Sequence, residues 1–129
     1  MKPLRRISEI EVAWAAGFYD GEGNCCYNQA TGAICLSVAQ SDLEPLERFQ
    51  NALGVGKING PYMSANKGKT RMWRCQIHKQ SEVAIAIEKL LPLVSTIKRW
   101  QIEDAVEKFN SRDMAELARK RRERSLAHA

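Results

Sequence analysis

Carboxylates are missing from two long intervals of this 129-residue chain: none occurs from Asn24 to Ser41, and none from Arg48 to Ser81. The second interval holds Arg48, Lys57, Lys67, Lys69, Arg71, Arg74 and Lys79 with no acid among them. Every segment that reads as a β-strand falls inside these intervals, so the expected sheet carries no negative charge. A solvated sheet ordinarily mixes both signs, whereas a sheet cleared of acids and supplied with bases suits a phosphate-lined partner. Histidine is almost absent: neither His78 nor His128 has a partner at catalytic or ligand spacing, and no Ser/His/Asp arrangement can be built. Cys25, Cys26, Cys35 and Cys75 include no Cys-x-x-Cys pair, so structural zinc is not expected. Reduced thiols packed as small apolar groups, in a reducing compartment, are the expectation. No apolar run reaches membrane-spanning length and no charged-then-apolar leader opens the chain, so neither a membrane partner nor secretion is expected. Gly68-Lys69-Thr70 imitates the end of a P-loop, but Met63 stands where its first glycine belongs. The run from Gly54 to Gly60 follows a helix and has its last glycine one place late for a dinucleotide fingerprint. A small organic cofactor is therefore not expected.

The length fits one domain with a modest core. Twenty Lys plus Arg against fifteen Asp plus Glu give a net charge of +5, which favours an anionic partner. Periodicity predicts a helix from about Ser8 to Gly21, opened by a capping box at Ser8-Glu9-Ile10-Glu11. The basic lead Met1 to Ile7 is expected to be loose. Strands follow at Asn24–Gln29 and Ile34–Gln40, joined by a turn at Ala30-Thr31-Gly32. A helix from about Leu43 to Leu53 buries Leu43, Leu46, Phe49 and Leu53, is capped by Asp42 and ends at Gly54. Strands are expected at Val55–Tyr62 and Arg71–His78, then helices at about Glu82–Leu91 and from Ser95 through Phe109. Residues 1–110 are expected to form one α+β domain with a four-stranded antiparallel sheet and helices on one face. Residues 111–129 read as a basic helical tail.

One stretch, Trp14-Ala15-Ala16-Gly17-Phe18-Tyr19-Asp20-Gly21-Glu22-Gly23, organises the rest. Ala13, Ala16, Gly17, Asp20 and Gly21 recur at spacings of three and four, which puts small residues on one helix face. A glycine inside a helix costs about 1 kcal/mol against alanine, a cost that makes sense where another backbone approaches. Gly21-Glu22-Gly23 then offers a sharp exit with Glu22 at its tip.

Ala15 to Gly23 resembles the nine-residue motif of the LAGLIDADG homing endonucleases, with Gly17, Asp20, Glu22 and Gly23 in the key places. Ala15 replaces the leading leucine, and Phe18-Tyr19 replace two aliphatics. The resemblance covers roughly residues 8 to 109. It implies an αββαββα fold whose open sheet face lies in the DNA major groove, and a motif helix that packs against a second copy. With one motif per chain, it implies a homodimer acting on a long pseudo-palindromic site in double-stranded DNA. It implies Mg²⁺ or another divalent cation held by Glu22 and the Gly21 carbonyl, with Ala13, Ala16, Gly17, Asp20 and Gly21 at the dimer contact. Gln40, at the end of the second strand, would orient water. Lys98, in the run Leu91 to Gln101, would stabilise developing charge. The family often has a base just after the Gln40 position; here Asp42 and Glu44 follow. A mobile intron is the implied setting, in a bacterial or phage-infected cytoplasm or an organellar matrix.

A two-stranded ribbon in the major groove reads base edges with Arg, Lys, Asn and Gln. The candidates are Asn28, Gln29, Ser37, Lys57, Asn59, Arg71, Arg74 and Gln76, with Lys67 and Lys69 assigned to phosphates. Arg71 and Arg74 cannot face the same way on a regular strand, and the phase stays open at this stage. The alternative function is a nucleic-acid binder of the same fold that does not cut: an intron RNA maturase or a DNA-binding regulator.

Overall fold

The computed structural model describes residues 3–63 and 70–127, so the expectation for Lys67 and Lys69 lies outside the described residues. The elements are α1 (Pro3–Glu22), β1 (Gly23–Asn28), β2 (Ala33–Gln40), α2 (Leu43–Leu53), β3 (Lys57–Met63), β4 (Arg71–Ile77), α3 (Gln80–Leu90), α4 (Thr96–Asn110) and α5 (Met114–Ala127). The strands form one antiparallel sheet in the order β1-β2-β4-β3. Ile34, Leu36 and Val38 of β2 and Cys75 and Ile77 of β4 point to one side. There they meet Ala15, Ala16 and Tyr19 of α1, Leu46, Phe49 and Leu53 of α2, and Val83, Ala86, Leu90, Ile102 and Ala105 of α3 and α4. All the core is on that side, and the opposite face of the sheet is left to solvent.

Three features of α1 differ from the sequence reading. The helix starts at Pro3, so Ser8 lies within it and the expected capping box does not form. Glu11 instead pairs with Arg48 of α2 at 2.8 Å, and the Arg48 guanidinium lies 4.1 Å over the Trp14 ring. The hydrogen bond from Arg48 lowers the Glu11 carboxyl below the ordinary range. Arg48 is thus a tie between two helices and not part of the basic sheet. The exit from α1 is also different: neither Gly21 nor Gly23 has positive φ, and helix passes directly into strand. Gly23 is required for another reason, since a Cβ there would overlap the Tyr19 ring.

The second helix has the expected bounds, Asp42 preceding it in an extended conformation and Gly54 closing it at φ 74°. Of its expected buried face, Leu46, Phe49 and Leu53 are inside, while Leu43, in its first turn, stays exposed. Asp42 caps by position alone, since its side chain makes no capping hydrogen bond. At the outer end of the sheet, Gln80 holds β2 with a two-point clamp. It donates from Nε2 to the Ile34 carbonyl and accepts at Oε1 from the Ile34 N–H, both at 2.9 Å. The clamp satisfies backbone groups that β4, ending at Ile77, does not reach.

Candidate nucleic-acid interface and cleavage centre

The open sheet face follows from the two-residue period and the register. Asn24, Ser37, Gln76 and Lys57 stand in one row across all four strands, and Ala39, Arg74 and Asn59 form the row nearer the end of α1. Cys26 and Cys35 face each other in the row beyond Asn24 and Ser37. Arg74 leans toward Tyr62, 5.7 Å from the ring centroid. No Asp or Glu occurs in any of the four strands. Of the candidates named from sequence, Ser37, Lys57, Asn59, Arg74 and Gln76 share this face. Arg71 has the parity of Trp73 and Cys75, which belongs to the helix side, so the ambiguity resolves in favour of Arg74. Gln29 is outside the strand, in the turn. Asn28 accepts the N–H groups of Ala30 and Thr31 at 2.9 and 3.2 Å, so its carbonyl oxygen shapes the turn. Asn24 was not singled out from the sequence, although its place next to the motif on the first strand could have found it.

The second part of the site is the end of α1. Ala13, Gly17 and Gly21 are exposed, and a Cβ added at Gly17 or Gly21 would meet nothing within 4 Å. Ala16 faces the other way, into the protein's own core, at 1% exposure. The three-and-four spacing spans a wide arc, and Ala16 lies on its inner edge. Asp20 is half-buried and accepts the Ser95 N–H at 2.8 Å, which pins the start of α4 to the end of α1. Two exposed apolar side chains, Ile97 at 70% and Trp100 at 67%, stand one turn apart near the start of α4, and Ile10 on α1 is 56% exposed. The sequence reading had assigned only the inner face of α4. The apolar pair in Ile97-Lys98-Arg99-Trp100 was the available signal.

Glu22 is exposed at the C-terminal end of α1 with no partner among the described residues. Lys98 lies close by: its ammonium donates to the Gly23 carbonyl at 2.6 Å and sits 6.0 Å from the Tyr19 ring centroid. Gly23 pairs with Val38, so continuing that register brings Gln40, the last residue of β2, level with the end of α1. Three residues chosen from distant parts of the sequence thus collect at one end of the sheet. A helix C-terminus carries roughly half a negative charge on its free carbonyls, and the last turn of α1 has no basic residue. With the Glu22 carboxylate added, this end favours a cation and offers it hard oxygen donors. Among the described residues, no group of three His, Cys, Asp or Glu gathers to hold a metal ion.

No protein-family model and no curated protein matches the sequence. Solved structures do match. Homing endonuclease I-CvuI in complex with its target in the presence of Ca gives a TM-score of 0.59 at 23% identity, over 81% of this chain and 68% of that one. The archaeal intron-encoded homing endonuclease I-Vdi141I complexed with DNA gives 0.58 at 18% identity, over 79% and 68%. The LAGLIDADG meganuclease I-CpaMI bound to uncleaved DNA gives 0.53 at 20% identity, over 68% of this chain and 33% of that one. The chain has the LAGLIDADG homing-endonuclease fold. No helix among the described residues is long and apolar enough to cross a membrane.

Proposed function

We propose that the protein is a metal-dependent DNA endonuclease that acts as a homodimer, each copy reading half of a long pseudo-palindromic site. The observation that carries this reading is the position of Glu22. It ends a helix whose glycine face has no neighbour among the described residues, at the margin of a sheet face without a carboxylate. Two α1 helices crossing at Ala13, Gly17 and Gly21 about a two-fold axis would carry both copies of Glu22 to a common point. Ile97 and Trp100 would lose their exposure to water in the same contact, which contributes the apolar burial that glycine alone lacks. Carboxylates brought that close repel one another unless a cation or a proton intervenes. The Glu22 carboxylate and the Gly21 carbonyl suit Mg²⁺, which takes few protein ligands and fills its shell with water and substrate phosphate. When bound, such an ion polarises the phosphate and activates water for hydrolysis.

The chain's own groups do the rest. The Lys98 ammonium, held at the Gly23 carbonyl, offers positive charge where it builds up negatively on the phosphate. Gln40 supplies an amide that orients water. Arg74, Gln76, Asn59, Lys57, Ser37 and Asn24 meet base edges and phosphates in the groove. The solved neighbours support this reading as complexes with DNA, two of them prepared with Ca or Mg and the Mg one with its DNA not cleaved.

The test incubates the full chain with a duplex library in Mg²⁺ or in EDTA, beside Glu22→Gln. Cutting that needs Mg²⁺ and disappears in Glu22→Gln, with duplex affinity kept, is expected. The loss should exceed the roughly 10- to 100-fold that removing a supporting residue of a metal site costs. Tight binding with no metal-dependent cutting, equal in both proteins, would make the chain a non-cutting nucleic-acid binder.

A further inference from the structure

Away from the cleavage centre, positive charge is densest on α5. From Arg112 to Arg124 there are six bases against three acids, which accounts for most of the chain's net charge of +5. The helix is docked at a specific place. Leu117, its one buried residue, presses on Gly32 of the β1–β2 turn so closely that a Cβ there would overlap it. Arg112 donates to the Gly32 carbonyl at 2.7 Å and lies 3.6 Å over the Phe109 ring, and Arg124 donates to the Ala30 carbonyl at 3.2 Å. Both carboxylates of α5 are taken by pairs along its own length, Glu123 by Arg119 at 2.8 Å and Glu116 by Lys120 at 3.4 Å. Among the described residues neither Arg121 nor Arg122 has a carboxylate partner. Arg121 also lines an open cleft of about 230 Å³ between helix and turn, together with Thr31, Arg112, Met114, Leu117 and Ala118. No acid lines this cleft.

A solubilising helix would need none of this placement. Its arginines would point anywhere, and its acids would be spread among them. Here two arginines spend their hydrogen bonds on turn carbonyls, which fixes the helix where the sheet ends. The β1–β2 turn is the end of the sheet opposite Glu22, about 17 Å along β1. The helix that lies against this turn is about 21 Å long. A duplex presents a phosphate charge about every 1.7 Å of its axis, so a surface of this size has several within range.

We propose that the cleft between α5 and the β1–β2 turn is a phosphate-binding subsite, through which α5 extends the protein's contact along the DNA backbone beyond the bases that the sheet reads. This rests on the DNA-binding reading above. The subsite adds affinity and footprint without sequence preference, because a phosphate contact carries no base information.

The experiment uses the full chain and two random-sequence duplexes. One is short, and the other is longer by about one helical turn, roughly 10 base pairs, at each end. Binding is followed against salt for wild type, for Arg121→Gln/Arg122→Gln, and for Arg121→Lys/Arg122→Lys. On the long duplex the glutamine variant should lose about 0.9 from the slope of log K against log salt for each phosphate contact removed. The lysine variant should keep the wild-type slope. On the short duplex all three should coincide, and their melting temperatures should agree, since neither arginine has an ion-pair partner among the described residues. If the glutamine variant keeps the wild-type slope on the long duplex, or loses it equally on the short one, the subsite does not exist and the functional reading stands. If wild type shows no salt-dependent affinity for either duplex, the functional reading fails and takes the subsite with it.

Discussion

Replacing Gly17 by leucine sets the two environments of α1 against each other. In a lone chain the change is favourable. Leucine is better than glycine in a helix interior by about 0.8 kcal/mol, and the space above Gly17 is open. For a chain of this length 1 kcal/mol moves the melting midpoint by roughly 3–6 °C, so a monomeric variant should melt about 3 °C higher. In a pair of α1 helices crossing at Gly17 the sign reverses. Small residues there let two backbones approach more closely than the 8–10 Å usual for packed helices. An isobutyl group from each copy must then be accommodated at the axis, at about 1–3 kcal/mol for each overpacked side chain. Two copies make roughly 2–6 kcal/mol, which weakens the dimer by between about 30-fold and more than 10⁴-fold. Sedimentation equilibrium, alone and with duplex DNA, measures the association, and thermal melting at a concentration where both proteins are monomeric measures the chain. A variant as dimeric as wild type and as active on DNA would refute the crossing at Gly17. A variant that melts lower while monomeric would mean that the face is not open in the chain itself.

Three further outcomes follow from the same structure. Arg74→Gln should relax base preference at one position of each half-site, at about 1–3 kcal/mol of discrimination, whereas Arg71→Gln should not; a selection from randomised duplexes compares the two. Gln80→Ala leaves the Ile34 N–H and carbonyl unclamped at the end of β2 and should cost about 1–3 kcal/mol in urea unfolding. Burial pushes the Cys75 thiol up to about 11 and the Cys25 thiol up to about 12. The folded protein keeps these protons after the unfolded chain has released its own near pH 8.5. The thiols' contribution to stability is therefore full below about pH 8.5 and is lost as pH rises toward 11 and 12. Melting should hold from pH 7 to about pH 8.5 and fall from there to about pH 11, and a flat profile above about pH 8.5 would contradict it.

The sequence alone was enough for what depends on neighbours along the chain. Alternation at Ile34, Leu36 and Val38 marked β2, and Asp42 with Gly54 bracketed α2, because side-chain direction and helix termination are set within a few residues. The carboxylate-free intervals were legible for a similar reason: charge is counted along the chain before anything folds. The motif Ala15 to Gly23 singled out Glu22 and the resemblance that it carries singled out Lys98 and Gln40 as candidates, and the fold brings the three to one end of the sheet. What the sequence left undecided were matters of which side and against what. Alternation says that Arg71 and Arg74 face opposite ways, but only the helices covering one side decide which of them sees solvent. Spacing gathers Ala13, Ala16 and Gly17 on one arc, but only the core shows that Ala16 is inside it and Gly17 outside. Gly23 read as part of a sharp exit until the Tyr19 ring was seen to occupy the space of its Cβ, and Arg112 to Arg124 read as a basic helical tail with no place on the domain until Leu117 was seen seated on the β1–β2 turn. Each of these is a contact between residues far apart in the chain, and a local period carries no record of what a distant segment will place against it.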